Sequence, residues 1–257
     1  MSPKLNFKII GQGKPIIILH GLFGMLDNWL NMAKRLEDAG HMVVLVDQRD
    51  HGRSEHTNDF SYPLLADDLL HFMEENWIHE SVLIGHSMGG KTGLQFISEH
   101  EDMISKIIAI DIGPKKYIGG HQDVFDALFS VDITHLQSRH EAESVMMTKL
   151  HDYGTVQFLM KNLTRKKEGG FEWKMNLPLL FAKYENILEG IVFSQPCLTE
   201  TCFIRGEKSN YILDDDMGDI LNVIPNSQFI TIPDAGHWIH VDNPNELFNQ
   251  INDFIRH

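Results

Sequence analysis

Three observations predict an α/β fold with a mostly parallel central sheet, flanking helices and a helical insertion. Short runs rich in Ile and Val alternate with helical patterns, the alternation stops at Gly113, and it resumes after Pro196. Residues 5–10 alternate in part and lead into Gly11-Gln12-Gly13-Lys14-Pro15, which reads as a hairpin-like turn. Four buried-strand candidates follow, at 16–19, 42–46, 81–84 and 107–110, with helical patterns between them at 28–39, 64–77 and 87–100. In the first helix Trp29, Met32, Ala33 and Leu36 recur on one face, and Gly40 marks its end. From 113 to 196 the pattern is helical with no convincing strand. A loop of that length without structure would be implausible in a compact domain, so the segment is expected to be a helical insertion, a lid in the simplest case. The rhythm resumes with a strand at 201–204, a helix near 214–223, a strand at 228–232 and a closing helix at 243–255. The expected organisation is a core from 1–112 and 197–257, interrupted by the insertion at 113–196.

Composition narrows the function classes. The chain of 257 residues carries 36 acidic and 22 basic side chains, a formal charge of −14. Nucleic acid is not an expected partner, because binding it requires clustered Lys and Arg to neutralise phosphates. The insertion holds ten basic and ten acidic residues, so the negative charge belongs to the flanking segments and anionic substrates are less disfavoured than the total implies. Two cysteines, Cys197 and Cys202, are too few for a structural zinc site or a disulfide framework. The first residues lack the apolar stretch of a signal peptide, and the longest aliphatic runs are far too short to span a bilayer. These features predict a cytoplasmic protein with no membrane span. Oligomeric state leaves no signal in the sequence.

The strongest motif is Gly85-His86-Ser87-Met88-Gly89-Gly90, directly after one predicted strand and directly before a helix. In that context G-x-S-x-G forms a sharp strand-to-helix turn that glycine on either side permits, and the serine hydroxyl is exposed at the sheet edge. A serine nucleophile needs a base, and the base needs an orienting acid. His237, in the Pro233-Asp234-Ala235-Gly236-His237-Trp238 loop between the last strand and the last helix, is the candidate base. A further loop, His20-Gly21-Leu22-Phe23-Gly24, ends the 16–19 strand where oxyanion donors would be needed. The amides of Leu22 and Met88 are the candidate pair.

These motifs, with Asp47-Gln48-Arg49-Asp50-His51-Gly52-Arg53-Ser54, Ala109-Ile110-Asp111-Ile112-Gly113-Pro114 and Arg205-Gly206-Glu207-Lys208-Ser209-Asn210-Tyr211, resemble the α/β-hydrolase superfamily and its YbfF-like esterase branch. The superfamily's usual position for the acid, after Gly206-Glu207-Lys208, holds Ser209 in this chain. The resemblance implies Asp111 as the acid instead, with Ser209 as an auxiliary hydrogen-bonding group. Asp214, Asp215 and Asp216 are the competing carboxylates, although an acidic run more often opens a helix. The implied activity is hydrolysis of small acyl esters, with acyl-CoA thioesters or a carbon–carbon bond as alternatives on the same triad. A binding protein that kept the fold without the chemistry is the non-enzymatic alternative.

Residues expected to line the substrate pocket are Phe23, Ile112, Phe125, Phe129, Tyr211 and Trp238; Phe125, Leu128 and Phe129 share one helical face in the insertion. Asp47 and Arg49 are expected to form an internal ion pair, and Lys91 an exposed cation. No metal or cofactor site is indicated. His51 and His56 miss the spacing of a helical metal pair, with Gly52 between them.

Overall fold

The computed structural model describes residues 2–256. Seven strands form one sheet: β1 (Phe7–Ile10), β2 (Pro15–Leu19), β3 (Met42–Val46), β4 (Ser81–His86), β5 (Ile104–Ile110), β8 (Glu200–Gly206) and β9 (Ser227–Ile232), in the order β1-β3-β2-β4-β5-β8-β9. All neighbours are parallel except β1, which runs antiparallel to β3, Phe7 opposite Val46. The expected hairpin between β1 and β2 therefore does not form. Gly11 and Gly13, both in the left-handed region, press directly against the backbone of His41 and Gly40. The chain thus passes over the start of β3 and lays β1 along its far side.

Alternation along the buried strands sorts the core into two layers, because successive side chains point to opposite faces. Ile17, Leu19, Val44 and Val46 face α2 (Tyr62–Glu75) and α3 (Met88–Glu99). Ile16, Ile18, Val43 and Leu45 face α1 (Leu30–Asp38) and α11 (Pro244–Arg256). Two short helices, α9 (Asp216–Val223) and α10 (Ile239–Asp242), flank β9 in sequence.

Between the adjacent strands β5 and β8 the chain makes a long excursion. It contains α4 (Gln122–Ser130), α5 (Arg139–Met147), α6 (Tyr153–Met160), β6 (Leu163–Arg165), β7 (Phe171–Trp173), α7 (Leu177–Ala182) and α8 (Tyr184–Leu188). The β6–β7 hairpin corrects the expectation of an all-helical segment: its strands are three residues long and carry no Ile or Val, so no strand pattern announces them. Phe125, Leu128, Met146, Leu159 and Leu180 of this excursion join the same hydrophobic cluster as α2 and α3. Asn162 donates to the Phe23 carbonyl at 2.8 Å, and the Asn176 N–H donates to the Asp50 carbonyl at 2.9 Å. The excursion therefore lies over the loops that leave β2 and β3 at their carboxyl ends.

The Asp47–Arg49 pair is absent. Arg49 grips Asp68 on α2 through two buried contacts of 2.6 and 2.7 Å, the planar fork meeting both carboxylate oxygens. Asp47 accepts instead from the N–H groups of Leu26 (2.7 Å) and Arg53 (2.9 Å) and from the Asn6 side chain (2.7 Å), which fastens three segments to the end of β3. Among the described residues, no helix is long and apolar enough to cross a membrane.

Candidate active site

The turn from β4 into α3 carries Ser87 at φ +52°, ψ −118°, a conformation that L-residues rarely adopt. Glycine makes the turn possible. A Cβ on Gly85 would collide with the backbone of Gly89 and Gly90, and one on Gly89 with the carbonyls of Leu19 and His20. The Ser87 N–H donates to the Ile110 carbonyl at 3.0 Å, which ties the elbow to the end of β5.

Asp111 is the next residue beyond β5, also at positive φ (+50°) and completely buried. Its N–H donates to Ile204 at 2.7 Å, and its carboxylate accepts from the Gly206 N–H (3.1 Å), from the Ser209 hydroxyl and from His237 Nδ1 (2.8 Å). On the other side of the imidazole, Nε2 lies 3.0 Å from Ser87 Oγ. A carboxylate can only accept, so Nδ1 carries the proton, Nε2 is free to accept, and the serine hydroxyl donates to it. Ser87, His237, Asp111 and Ser209 thus form one connected relay. The competing acids are engaged elsewhere: Asp214 pairs with Arg205 at 2.6 Å, Asp216 with Lys115 at 2.5 Å, and Asp215 stands exposed at the start of α9.

Two neighbours hold His237 in place. The Tyr211 ring stacks on the imidazole at 3.8 Å between centroids and 15° between planes. His86 Nε2 donates to the His237 carbonyl at 2.8 Å. Sequence reasoning gave His86 no role, since it occupies the variable position of the serine motif and its partner is 151 residues away.

Leu22 and Met88 flank Ser87, and among the described residues neither backbone N–H has an acceptor within the protein. Two cavities meet at the serine and share Leu22 and His121. The smaller, about 60 Å³, is walled by Phe23, Trp29, Phe158 and Trp238. The larger, about 440 Å³, is walled by Tyr62, Lys91, Ile112, Tyr117 and Tyr211. Of the residues expected in a pocket, Phe23 and Trp238 line the first and Ile112 and Tyr211 the second. Phe125 reaches neither; it is buried behind Phe23, edge-on at 5.2 Å. Phe129 is exposed at the end of α4 against Phe181, because the last turn of that helix lies at the rim of the excursion. Among the described residues, no cluster of three or more His, Cys, Asp or Glu could hold a metal ion. His51 and His56 have separate partners, the Arg49 and Lys174 carbonyls.

A family model described as the α/β hydrolase fold matches residues 14–244. The chain belongs to the α/β-hydrolase family. Esterase YbfF of Escherichia coli is 34% identical over 248 residues, 95% of this chain and 94% of that protein, which puts the chain in the YbfF-like branch. An sn-1-specific diacylglycerol lipase of Mus musculus is 32% identical over 93% of this chain and 80% of its own length. A solved structure, described as a marine microorganism esterase, superposes with a TM-score of 0.96 at 38% identity, covering 98% of this chain and all of that one.

This α/β-hydrolase departs from its sequence-based expectation most clearly at Lys91. The side chain is 1% exposed. Its ammonium donates to the carbonyls of Leu188 (3.2 Å) and Glu189 at the end of α8 and faces the rings of Tyr62 and Tyr117 at 5.3 and 4.7 Å. Burial pulls its pKa down to about 7. A lysine so placed binds the carboxyl end of α8, where the Leu188 carbonyl also accepts from the Tyr117 N–H at 2.9 Å, and so fastens the excursion to the helix that carries the serine.

Proposed function

We propose that the chain is a serine carboxylesterase that transfers the acyl group of a small ester to water through an acyl-enzyme. The observation that carries this reading is the unbroken relay from Ser87 through His237 to Asp111 at the meeting point of two cavities. In the proposed mechanism His237 Nε2 takes the hydroxyl proton as Ser87 Oγ attacks the ester carbonyl. The tetrahedral oxyanion is held by the Leu22 and Met88 amides, the latter at the positive end of the α3 dipole. The bond to the alcohol then breaks as His237 returns the proton to it. Water attacks the acyl-serine, gives a proton to the imidazole, and frees the acid and the serine. Asp111 keeps the imidazole in its Nδ1–H tautomer, and Ser209 orients the carboxylate. The excursion between β5 and β8 serves as the lid of the cavities.

The relatives support ester cleavage through their names, an esterase and a diacylglycerol lipase. One observation favours thioesters as a second substrate class: Lys91, Lys115 and Lys116 line the larger cavity and no acidic residue does, in a chain with a net charge of −14. Lys115 and Lys116 are paired with Asp216 and Glu189, so an anionic leaving group would meet a nearly neutral wall in place of the repulsion that the whole-chain charge implies.

The test is hydrolysis of p-nitrophenyl esters and acyl-CoA thioesters of graded length by Asp111→Asn and Asp214→Asn. Asp111→Asn is expected to lose about 10⁴-fold in kcat, as when the acid of a triad becomes an amide that imposes the wrong tautomer. Asp214→Asn should behave as wild type. The reverse pattern would show that the acid has been misassigned.

A further inference from the structure

The Leu22 N–H belongs to a peptide unit whose other end is held. In a trans peptide the N–H and the preceding carbonyl point in opposite directions, and no cis peptide occurs among the described residues. The Gly21 carbonyl accepts from two donors, the Gly24 N–H at 2.9 Å and His20 Nδ1 at 2.8 Å. The Leu22 N–H is therefore aimed away from His20 and Gly24, on the side where Leu22 and Ser87 line the same cavities. Something has to impose that orientation. Gly21 has no side chain to restrict its backbone, so the 21–22 peptide could otherwise rotate at small cost.

His20 meets this requirement in only one form. A carbonyl oxygen only accepts, so Nδ1 must carry the proton. Nε2 accepts from the Gln48 N–H at 3.0 Å, so it must be bare. The neutral Nδ1–H tautomer alone satisfies both partners, and burial keeps the ring neutral by lowering its pKa to about 4. The link continues to the nucleophile helix: the Gln48 side chain donates to the His20 carbonyl at 2.7 Å and accepts from the Thr92 hydroxyl on α3 at 2.8 Å. The loop bearing one amide and the helix bearing Met88 are thus held in one frame.

We propose that His20 is a positioning residue for the reaction, locking the Gly21–Leu22 peptide so that the Leu22 N–H faces the tetrahedral oxyanion. This rests on the reading of Ser87 as the nucleophile. Both ring nitrogens of His20 are engaged by the protein, so it acts through the peptide it holds.

The test compares His20→Leu, which fills much of the same space without polar atoms, with His20→Asn, whose amide nitrogen can stand where Nδ1 stood. The readouts are kcat and KM on a short p-nitrophenyl ester, the inhibition constant of an alkyl boronic acid that forms a tetrahedral adduct on the serine, and thermal unfolding. His20→Leu is expected to lose about 10- to 100-fold in kcat, less than the 10²- to 10³-fold cost of removing an oxyanion donor outright. Boronate affinity should fall by a similar factor while KM changes little, and His20→Asn should recover most of both. A folded His20→Leu protein with wild-type kcat and boronate affinity would overturn the proposal, as would a leucine variant more active than the asparagine one. Should the leucine variant not fold, nitrogen NMR of wild-type His20 decides: the Nδ1–H tautomer supports the lock, and a predominant Nε2–H tautomer excludes it. Ser87→Ala, assayed in parallel, separates the two levels. If it stays active the nucleophile is wrong, whereas an inactive Ser87→Ala beside a fully active His20→Leu removes only the role of His20.

Discussion

Ser87→Ala is expected to lower kcat by about a million-fold, the loss seen when the nucleophile of a triad is deleted, while KM stays near wild type. The residue makes its decisive contribution only after the substrate is bound, so binding has little to lose. Alanine at φ +52° is as strained as serine, and the thermal midpoint should therefore barely move. A fluorophosphonate probe should label the wild-type protein once, at Ser87, and leave the variant unlabelled. Residual activity above about 1% in material free of contaminating esterases would rule Ser87 out as the nucleophile, because triad deletions leave far less.

Acidification is expected to unfold the protein at a pH where ordinary surface groups would hardly respond. The buried His20 and the half-buried His240 have pKa values lowered to about 4, and His51 is lowered to about 3 by burial and by His20 beside it. His86 is pushed well below the usual imidazole range by burial and by its neighbours His237 and His240. In each case the folded pKa lies below the unfolded value of about 6.5, so the unfolded chain takes up the proton first as pH falls. The stability these rings contribute is complete above about pH 6.5 and drains away as the pH drops toward their folded pKa values. At pH 5 each of the three with stated values costs about 2 kcal/mol, about 6 kcal/mol together, against a total stability of about 5–15 kcal/mol for a typical fold. Urea unfolding at a series of pH values should show the midpoint concentration collapsing between about pH 6.5 and 4.5. Equal midpoints at pH 7 and pH 5 would contradict the assignment of these rings as buried and neutral.

The strands of the sheet and the relay residues could be read before the structure because their signals are local or tied to a motif. Buried parallel strands require runs such as Ile16 to Leu19, and the elbow at Ser87 requires glycines on both sides. Asp111 was legible chiefly by resemblance to a family, since locally only the tendency of an acidic run to open a helix separates it from Asp214 or Asp216. What escaped depends on contacts between distant segments. Arg49 finds Asp68 19 residues on, and Lys91 finds carbonyls 97 and 98 residues away. Helical spacing placed Phe129 beside Phe125, but only the packed excursion reveals where its rim falls. The part played by His20 depends on which way one peptide plane faces, and residue order carries no mark of that.

The contacts that fasten the excursion to the loops after β2 and β3 limit how a substrate can enter. Swinging the excursion out as a rigid flap would break the edge-on contact of Phe125 with Phe23 and the hydrogen bonds of Asn162 and Asn176 to the Phe23 and Asp50 carbonyls. At about 2 kcal/mol for the aromatic contact and about 1 kcal/mol for each hydrogen bond, such a flap would cost about 4 kcal/mol and stand open in about one molecule in 10³. Traffic to Ser87 is therefore expected to run through rotamer changes and small loop displacements at the cavity mouths. Amide hydrogen exchange in α4 as slow as in α3 would fit these small displacements, and fast exchange in α4 alone would speak for a hinged flap.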